Sequence, residues 1–263
     1  MPYILGPKAS AAGYRLVVYD SVGSSSTEAI AWAGLGDPGK LWVVGRKQTN
    51  GYGRRKRSWE SPEGNLAASL LMMSADLGIL SPRLGFVAGL ALRNAIGTLP
   101  RPSAPHERPR LKWPNDVVCD GAKVAGILLE TVKFLDVTGG LVIGIGVNVA
   151  TAPKDLPYPA TSLADCGIQA TAAELFQALA EAWVDCVAVW DGGRGFPEIR
   201  ERWLAAAAGV GLPISVKTGD GVVSGTFETI DEEGRLIVRA DDGSALPISA
   251  GDVHFGGAAT AGI

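Results

Sequence analysis

The 263-residue chain predicts an α+β fold: a mixed β-sheet packed with helices, followed by a small β-barrel. Three observations carry this. Strand-like runs of β-branched and aromatic residues alternate with helical stretches through the first half, and three apolar runs between residues 111 and 149 follow one another with only turn signals between them. Such a meander argues against a doubly wound parallel sheet. After Gly209 the pattern changes to short alternating runs punctuated by GDG, EEG and DDG, which is the punctuation of a small barrel.

Residues 16–19 read as a short strand, and the DSVGSSS run after it supplies N-caps for a helix over 27–34. A second strand covers 41–47 and feeds directly into a basic loop. A third covers 65–73, and a helix covers 82–99 with Pro82 placed in its first turn. The Pro- and Arg-rich stretch 100–110 is a loop. The apolar runs are 111–119, interrupted by WPND, then 123–132 and 141–149, with turns expected at Asp120-Gly121 and Gly139-Gly140. Two amphipathic helices follow at 172–190 and 197–208. Five strands account for the remainder to Phe255, and the tail GGAATAGI is expected to fray. A boundary near Val210 divides the chain into domains 1–209 and 210–263.

Composition excludes several classes of function. Hydrophobic residues make up 47% and charged residues 19%, as in an ordinary globular protein. The net charge of −3 argues against a general nucleic-acid binder, which carries a positive footprint over the whole domain. Cys119, Cys166 and Cys186 are too few and too scattered for a disulfide framework, and the two histidines lack metal-ligand spacing. No secretory signal and no apolar run near membrane-spanning length is present, so a soluble cytoplasmic protein without membrane contact is expected. GxSxG, HExxH, CxxC and the Walker pattern are all absent, which argues against a nucleophilic hydrolase, a zinc enzyme and a P-loop ATPase.

Against this acidic background, the stretch from Gly45 to Trp59, GRKQTNGYGRRKRSW, holds six basic residues, three glycines and no acid. Glycines let backbone amides approach a ligand and arginines offer forked donors, so the composition is that of an anion-binding loop. A solvated surface run is the plainer reading. The next constellation is Lys112-Trp113-Pro114-Asn115-Asp116. It reads either as a polar turn between strands or as a site, because a lysine at a strand end beside apolar residues is costly unless its charge meets an anion. Glycines inside the strand-like runs Lys123-Val-Ala-Gly-Ile-Leu-Leu-Glu130 and Gly144-Ile-Gly-Val-Asn148 mark bulges or close approaches, with sheet packing as the plain alternative.

Together and in this order, these segments resemble the biotin protein ligases, whose motifs are GRGRRGRxW, SPxGNL, KWPND, KxxGIL and GxGxN. Here they read Gly51-Tyr-Gly-Arg-Arg-Lys-Arg-Ser-Trp59, Ser61-Pro-Glu-Gly-Asn-Leu66, Lys112 to Asp116, Lys123 to Leu128 and Gly144 to Asn148. The match spans most of residues 15–150. The resemblance implies a biotin/lipoate ligase-like catalytic domain with a small SH3-like β-barrel after it. It also implies the reaction: biotin and ATP, with Mg²⁺, give biotinyl-5′-adenylate, and biotin then passes to a lysine of a carboxyl carrier domain. No nucleophilic triad is needed for this.

By the same resemblance, Lys112 and Arg54 are the catalytic residues. Biotin is expected to meet Ser24, Ser25, Ser26, Gln48, Gly51, Tyr52, Gly53, Arg54, Lys112, Gly126 and Gly144. The nucleotide and adenylate are expected to meet Arg54, Arg55, Arg57, Trp59, Asn115, Lys123 and Asn148, with Trp59 packing against adenine and Lys123 on the nucleotide or metal side. No residue is assigned as a protein metal ligand.

Two departures stand out. Ser24-Ser25-Ser26 stands where the pattern has Ser-Thr-Asn, and Tyr52 and Lys56 stand where it has Arg and Gly. Only about fifteen residues precede the first strand, far fewer than the DNA-binding module some members carry, so no DNA binding is expected. Either a monomer or a homodimer is compatible with the resemblance. Two other functions stay open, a lipoate or octanoate ligase of the same superfamily and a non-catalytic biotin or nucleotide binder.

Overall fold

A computed structural model describes residues 1–74, 77–101, 108–134 and 137–255. The first part contains α1 (Pro7–Ala11), β1 (Arg15–Val22), α2 (Ser25–Gly34), β2 (Leu41–Tyr52), β3 (Ser58–Ser61), β4 (Leu66–Met73) and α3 (Leu77–Thr98). It continues with β5 (Arg110–Lys112), β6 (Asp116–Cys119), β7 (Ala122–Phe134), β8 (Val137–Val147), α4 (Ala172–Trp190) and α5 (Phe196–Ala206). The last part is all strand: β9 (Pro213–Lys217), β10 (Val222–Ile230), β11 (Leu236–Arg239), β12 (Ala245–Ile248) and β13 (Asp252–Phe255).

The large sheet runs in the order β1-β2-β4-β8-β7-β6-β5, with β3 paired to the far end of β2. Only β1 and β2 are parallel, joined by the crossover helix α2, and every other pair is antiparallel. The sheet is therefore mixed, as the tandem apolar runs require. Side chains alternate across it. One face carries Leu66, Ala68 and Leu70 of β4, Ile127 of β7 and Leu141, Ile143 and Ile145 of β8 into a core with α3, α4 and α5. Trp42 lies edge-on to Phe176 and Trp183, with ring centres 5.6 and 6.5 Å apart. Truncating either buried tryptophan should cost roughly 3–5 kcal/mol.

The other face is only partly covered. Leu41, Val43, Leu71, Val132 and Val142 pack on Ala29 and Ala33 of α2. Beyond the N-terminus of α2 the same face is left open by small residues, and the site lies there.

Several expected boundaries move. β1 extends to Val22 because its parallel pairing with β2 continues through Ser21↔Lys47 and Val22↔Gln48, although Asp20 and Ser21 do not look strand-like locally. Helix α3 starts at Leu77, so Pro82 lies inside it rather than in its first turn. Gly139-Gly140 is not a turn. Both glycines lie within β8, and a Cβ at Gly140 would stand 2.5 Å from the Met73 sulfur, so the gap in side chain serves strand packing. The Asp120-Gly121 turn is found, with φ of 49° and 78°. The tail 256–263 and the segment 102–107 lie outside the described residues.

The five C-terminal strands form an antiparallel sheet in the order β12-β11-β10-β9-β13. It docks through Trp113, whose Nε1 donates to Gly234 O at 3.2 Å, and through the Arg200 guanidinium, which donates to Ile230 O. Ile214, Val216, Phe227 and Ile230 join the main hydrophobic cluster.

One buried side chain ties the end of β8 to the start of β4. Asn65 Oδ1 accepts from the backbone N–H of Val149, Ala150 and Thr151 at 3.0, 3.0 and 3.2 Å, while its Nδ2 donates to Thr151 O at 2.8 Å. Asn65→Ala would leave three amides without an acceptor and is expected to lower unfolding stability by roughly 2–3 kcal/mol in urea titrations, with Asn65→Asp recovering part of it. A loss below about 0.5 kcal/mol would show that the segment finds other partners.

Candidate functional site

The site begins with missing side chains. Across adjacent strands, Ala67 pairs with Gly146, Gly146 with Gly126, and Gly126 with Asp116. In the neighbouring row Ser69 pairs with Gly144 and Gly144 with Leu128. These rows cut a trough into the open face. A Cβ at Gly146 would stand 2.4 Å from the Trp59 ring, and one at Gly144 would stand 2.6 Å from Ser26 Oγ. The glycines are there for close approach. Above them lies a cavity of about 660 Å³.

One end of the cavity is polar and uncharged. Helix α2 points its N-terminus into it, with Ser24 as N-cap accepting from Thr27 N at 3.4 Å. Ser25 donates from its backbone N and from Oγ to Gln48 Oε1, at 2.9 and 3.3 Å. The hydroxyls of Ser25 and Ser26 both meet Ser69 Oγ, at 2.9 and 3.0 Å. All four serines are buried. A helix N-terminus with hydroxyls and an amide side chain recognises a small ligand group that both donates and accepts hydrogen bonds.

Other walls of the cavity carry charge. The hairpin turn between β5 and β6 holds Lys112, Asn115 and Asp116. Asn115 Nδ2 donates to Ile127 O at 2.7 Å, which fixes its oxygen to accept from Arg54 Nη1 at 3.1 Å. Lys123 Nζ lies 2.7 Å from Asp116 Oδ1 and 5.6 Å from the ring centres of both Trp59 and Tyr158. Arg57 and Arg55 reach Asp252 of β13 at 2.7 and 3.3 Å. Burial works against the Asp252 charge, but the Arg57 hydrogen bond and the fields of Arg57, Arg55 and Arg54 hold its carboxyl below the ordinary range.

Lys112 is different. It is half-buried, and among the described residues no carboxylate lies within ion-pair distance of it; its Nζ stands 5.2 Å from the Phe255 ring centre. Burial pushes its pKa below the ordinary lysine value and nearby Lys123 adds to this, while Asp116 and Asp252 oppose them. Arg54 is likewise lowered, chiefly by burial. A half-buried cation without a counter-ion is poised for an anionic ligand.

The cavity gathers Ser24, Ser25, Ser26, Gln48, Tyr52, Gly53, Arg54, Arg57, Trp59, Lys112, Asn115, Lys123, Gly126 and Gly144 from the residues singled out in the sequence. Three others sit elsewhere. Gly51 makes room for Gln48 and for the Trp59 carbonyl, since a Cβ there would come within 2.1 and 2.5 Å of them. Arg55 is exposed and turned to Asp252. Asn148 lines a separate cavity of about 60 Å³ behind Trp59 and donates to Thr161 O at 3.2 Å.

The sequence reading missed Ser69, Tyr158, Asp252, Lys217 and His254. Ser69 had one signal, a lone hydroxyl in the otherwise apolar run LAASLLMM. The last three come from β9 and β13, where Asp252 pairs with Lys217, and nothing local marks them.

The chain matches the model of the biotin/lipoate A/B protein ligase family over residues 25–148 and that of the biotin protein ligase C-terminal domain over residues 210–256. It is 39% identical over 240 residues to a biotin–[acetyl-CoA-carboxylase] ligase of Paracoccus denitrificans, covering 89% of this chain and 98% of that one. Its fold is similar to that of the Aquifex aeolicus biotin protein ligase in complex with biotin and ATP, with a TM-score of 0.79, 23% identity and coverage of 92% and 99%. It is also similar to the Leishmania major biotin protein ligase in complex with biotinyl-5-AMP, with a TM-score of 0.59, 26% identity and coverage of 90% and 98%.

If the trough is what seats Trp59, Gly146→Ala should expel the indole from it. The expected result is a red-shifted tryptophan emission that Trp59→Phe abolishes, with unchanged far-UV circular dichroism. An unshifted emission spectrum would mean that Trp59 does not depend on the missing side chain.

Proposed function

The chain belongs to the biotin/lipoate A/B protein ligase family, and from that premise we propose that its cavity is a biotin–[acetyl-CoA-carboxylase] ligase site that makes biotinyl-5′-adenylate and holds it for transfer. The observation that carries the assignment of roles is Lys112, a half-buried lysine with no ion-pair partner among the described residues, on the wall of a cavity that also presents Arg54 and Arg57.

Adenylation brings together two anions. A biotin carboxylate oxygen attacks the α-phosphorus of ATP, the bond to the β-phosphate bridge oxygen breaks, and pyrophosphate leaves. Protein catalysis here consists of offsetting repulsion and holding the groups in line. Lys112 is placed to serve the carboxylate and the α-phosphate oxygens, and Arg54 and Arg57 the phosphates. Arg57 and Arg54 then exchange Asp252 and Asn115 for phosphate. In the second half-reaction a lysine amine of a carboxyl carrier domain attacks the acyl carbon and AMP departs.

The serine and glutamine end suits the ureido ring of biotin, which offers one carbonyl and two N–H groups. Octanoate has no polar group at the end remote from its carboxylate, and its methyl end would leave Ser25, Ser26, Ser69 and Gln48 against hydrocarbon, an unfavourable burial. The same end therefore argues against the lipoate or octanoate reading. Trp59 supports a purine position, since its ring lies on the glycine floor and lines the cavity. Mg²⁺ enters as the counter-ion of ATP. Among the described residues no group of three or more His, Cys, Asp and Glu converges to hold a metal. No helix among the described residues is long and apolar enough to cross a membrane.

Pyrophosphate exchange tests the assignment. Biotin should support exchange and lipoate and octanoate should not, and Lys112→Ala should lower the rate by about 10²–10³-fold with the fold intact. Exchange with lipoate but not biotin would overturn it.

The pH dependence has a fixed sign. An anion prefers the protonated lysine, so biotin affinity in the presence of an ATP analogue should fall as pH rises through the Lys112 pKa, which burial holds below the ordinary 10.5. Calorimetric titration of Lys112→Met should lack this alkaline limb, and a wild-type affinity flat across the alkaline range would contradict the role.

A further inference from the structure

Tyr52 and Lys56 are the two places where the loop leaves the family pattern, and in this protein they touch. Lys56 Nζ lies 3.9 Å from the centre of the Tyr52 ring, a close cation–π contact. The Tyr52 hydroxyl in turn donates to the Glu130 carboxylate, 3.1 and 3.2 Å from its two oxygens. Glu130 belongs to β7 on the face that also presents Gly126 and Leu128 to the cavity, four and two residues earlier in the alternation. Arg55 and Lys56 have consecutive positive φ values of 55° and 58°, a conformation that favours glycine, so the loop's shape depends on contacts that hold it.

We propose that Tyr52, Lys56 and Glu130 form a latch that positions the arginine loop over the cavity and retains the acyl-adenylate until transfer. The retention half of this rests on the ligase reading above. Two ties hold the loop and they differ in kind. The tie to Asp252 uses Arg55 and Arg57, whose charges a phosphate would claim. The tie to Glu130 uses a phenol and a lysine–ring contact, and phosphate binding leaves both in place. The first tie is exchanged when ligand arrives; the second persists and keeps the loop closed.

The test has two readouts. Arg54, Arg55, Lys56 and Arg57 make the loop a trypsin target, so cleavage there in the ligand-free protein reports opening. Tyr52→Phe, which keeps the ring and loses the Glu130 bond, and Glu130→Gln should each speed cleavage by about three- to tenfold. Release of biotinyl-adenylate, trapped by hydroxylamine after a single turnover, should be faster by about threefold or more in Lys56→Gly and Glu130→Gln, and Lys56→Arg should restore retention. Adenylate formation in these two variants should change by less than about twofold. Cleavage and release rates equal to wild type in all variants would overturn the latch. If the wild type forms no biotinyl-adenylate, the ligase reading and the retention role fail together, while the cleavage series on ligand-free protein still decides whether the loop is latched.

Discussion

The whole site depends on one row of absent side chains. Gly126 and Gly146 face each other across β7 and β8, flanked by Ala67 and Asp116, and together they lower the floor of a sheet whose opposite face is filled with Leu, Ile and Val. A sheet that must bury both faces would carry large residues on each. This one keeps half of its second face empty, and α2 stops at the edge of the gap with its N-terminus facing in. Trp59 can then lie directly on the backbone, within what would be a methyl's distance of Gly146.

Charge is arranged around that gap with an excess of cations. Lys112, Lys123, Arg54, Arg57 and Lys217 line the cavity, against the carboxylates Asp116 and Asp252. Each carboxylate is engaged, Asp116 by Lys123 and Asp252 by Arg55 and Arg57, which leaves Lys112 and Arg54 as half-buried cations of the cavity with no ion-pair partner among the described residues. Repulsion among the basic side chains of the loop is thereby reduced. Its arginines are held by a side chain of the C-terminal sheet, so that sheet contributes to the active face of the molecule and does more than follow it in sequence.

How much was legible follows from how local each signal is. The serine run, the basic loop and the WPND turn each present several polar residues within a few positions, and each brings most of them to the cavity, with Gly51 and Arg55 of the loop lying off it. Glycine was ambiguous. Gly139-Gly140 reads like a turn because turns and close strand packing both demand a missing side chain, and only the neighbour, Met73, distinguishes them. Asp252, Lys217 and His254 were invisible because pairing of β13 with β9 and docking of that sheet bring them to the cavity from far along the chain, Asp252 from 195 residues beyond the Arg57 it binds. Gly51 and Asn148 belong to the right motifs but support the site from behind: Gly51 admits Gln48, and Asn148 binds the chain that follows β8.

In the proposed function the glycine trough, with Lys112 and the loop arginines on its walls, is the seat of an acyl-adenylate. A structure of the protein with biotinyl-5′-adenylate measures this most directly. The expected result is the ureido ring at Ser24, Ser25, Ser26 and Gln48, phosphate oxygens within hydrogen-bond distance of Lys112 and of Arg54 or Arg57, and the ligand lying over Gly126 and Gly146. A ligand bound away from the trough, with Lys112 still lacking an anionic partner, would contradict it.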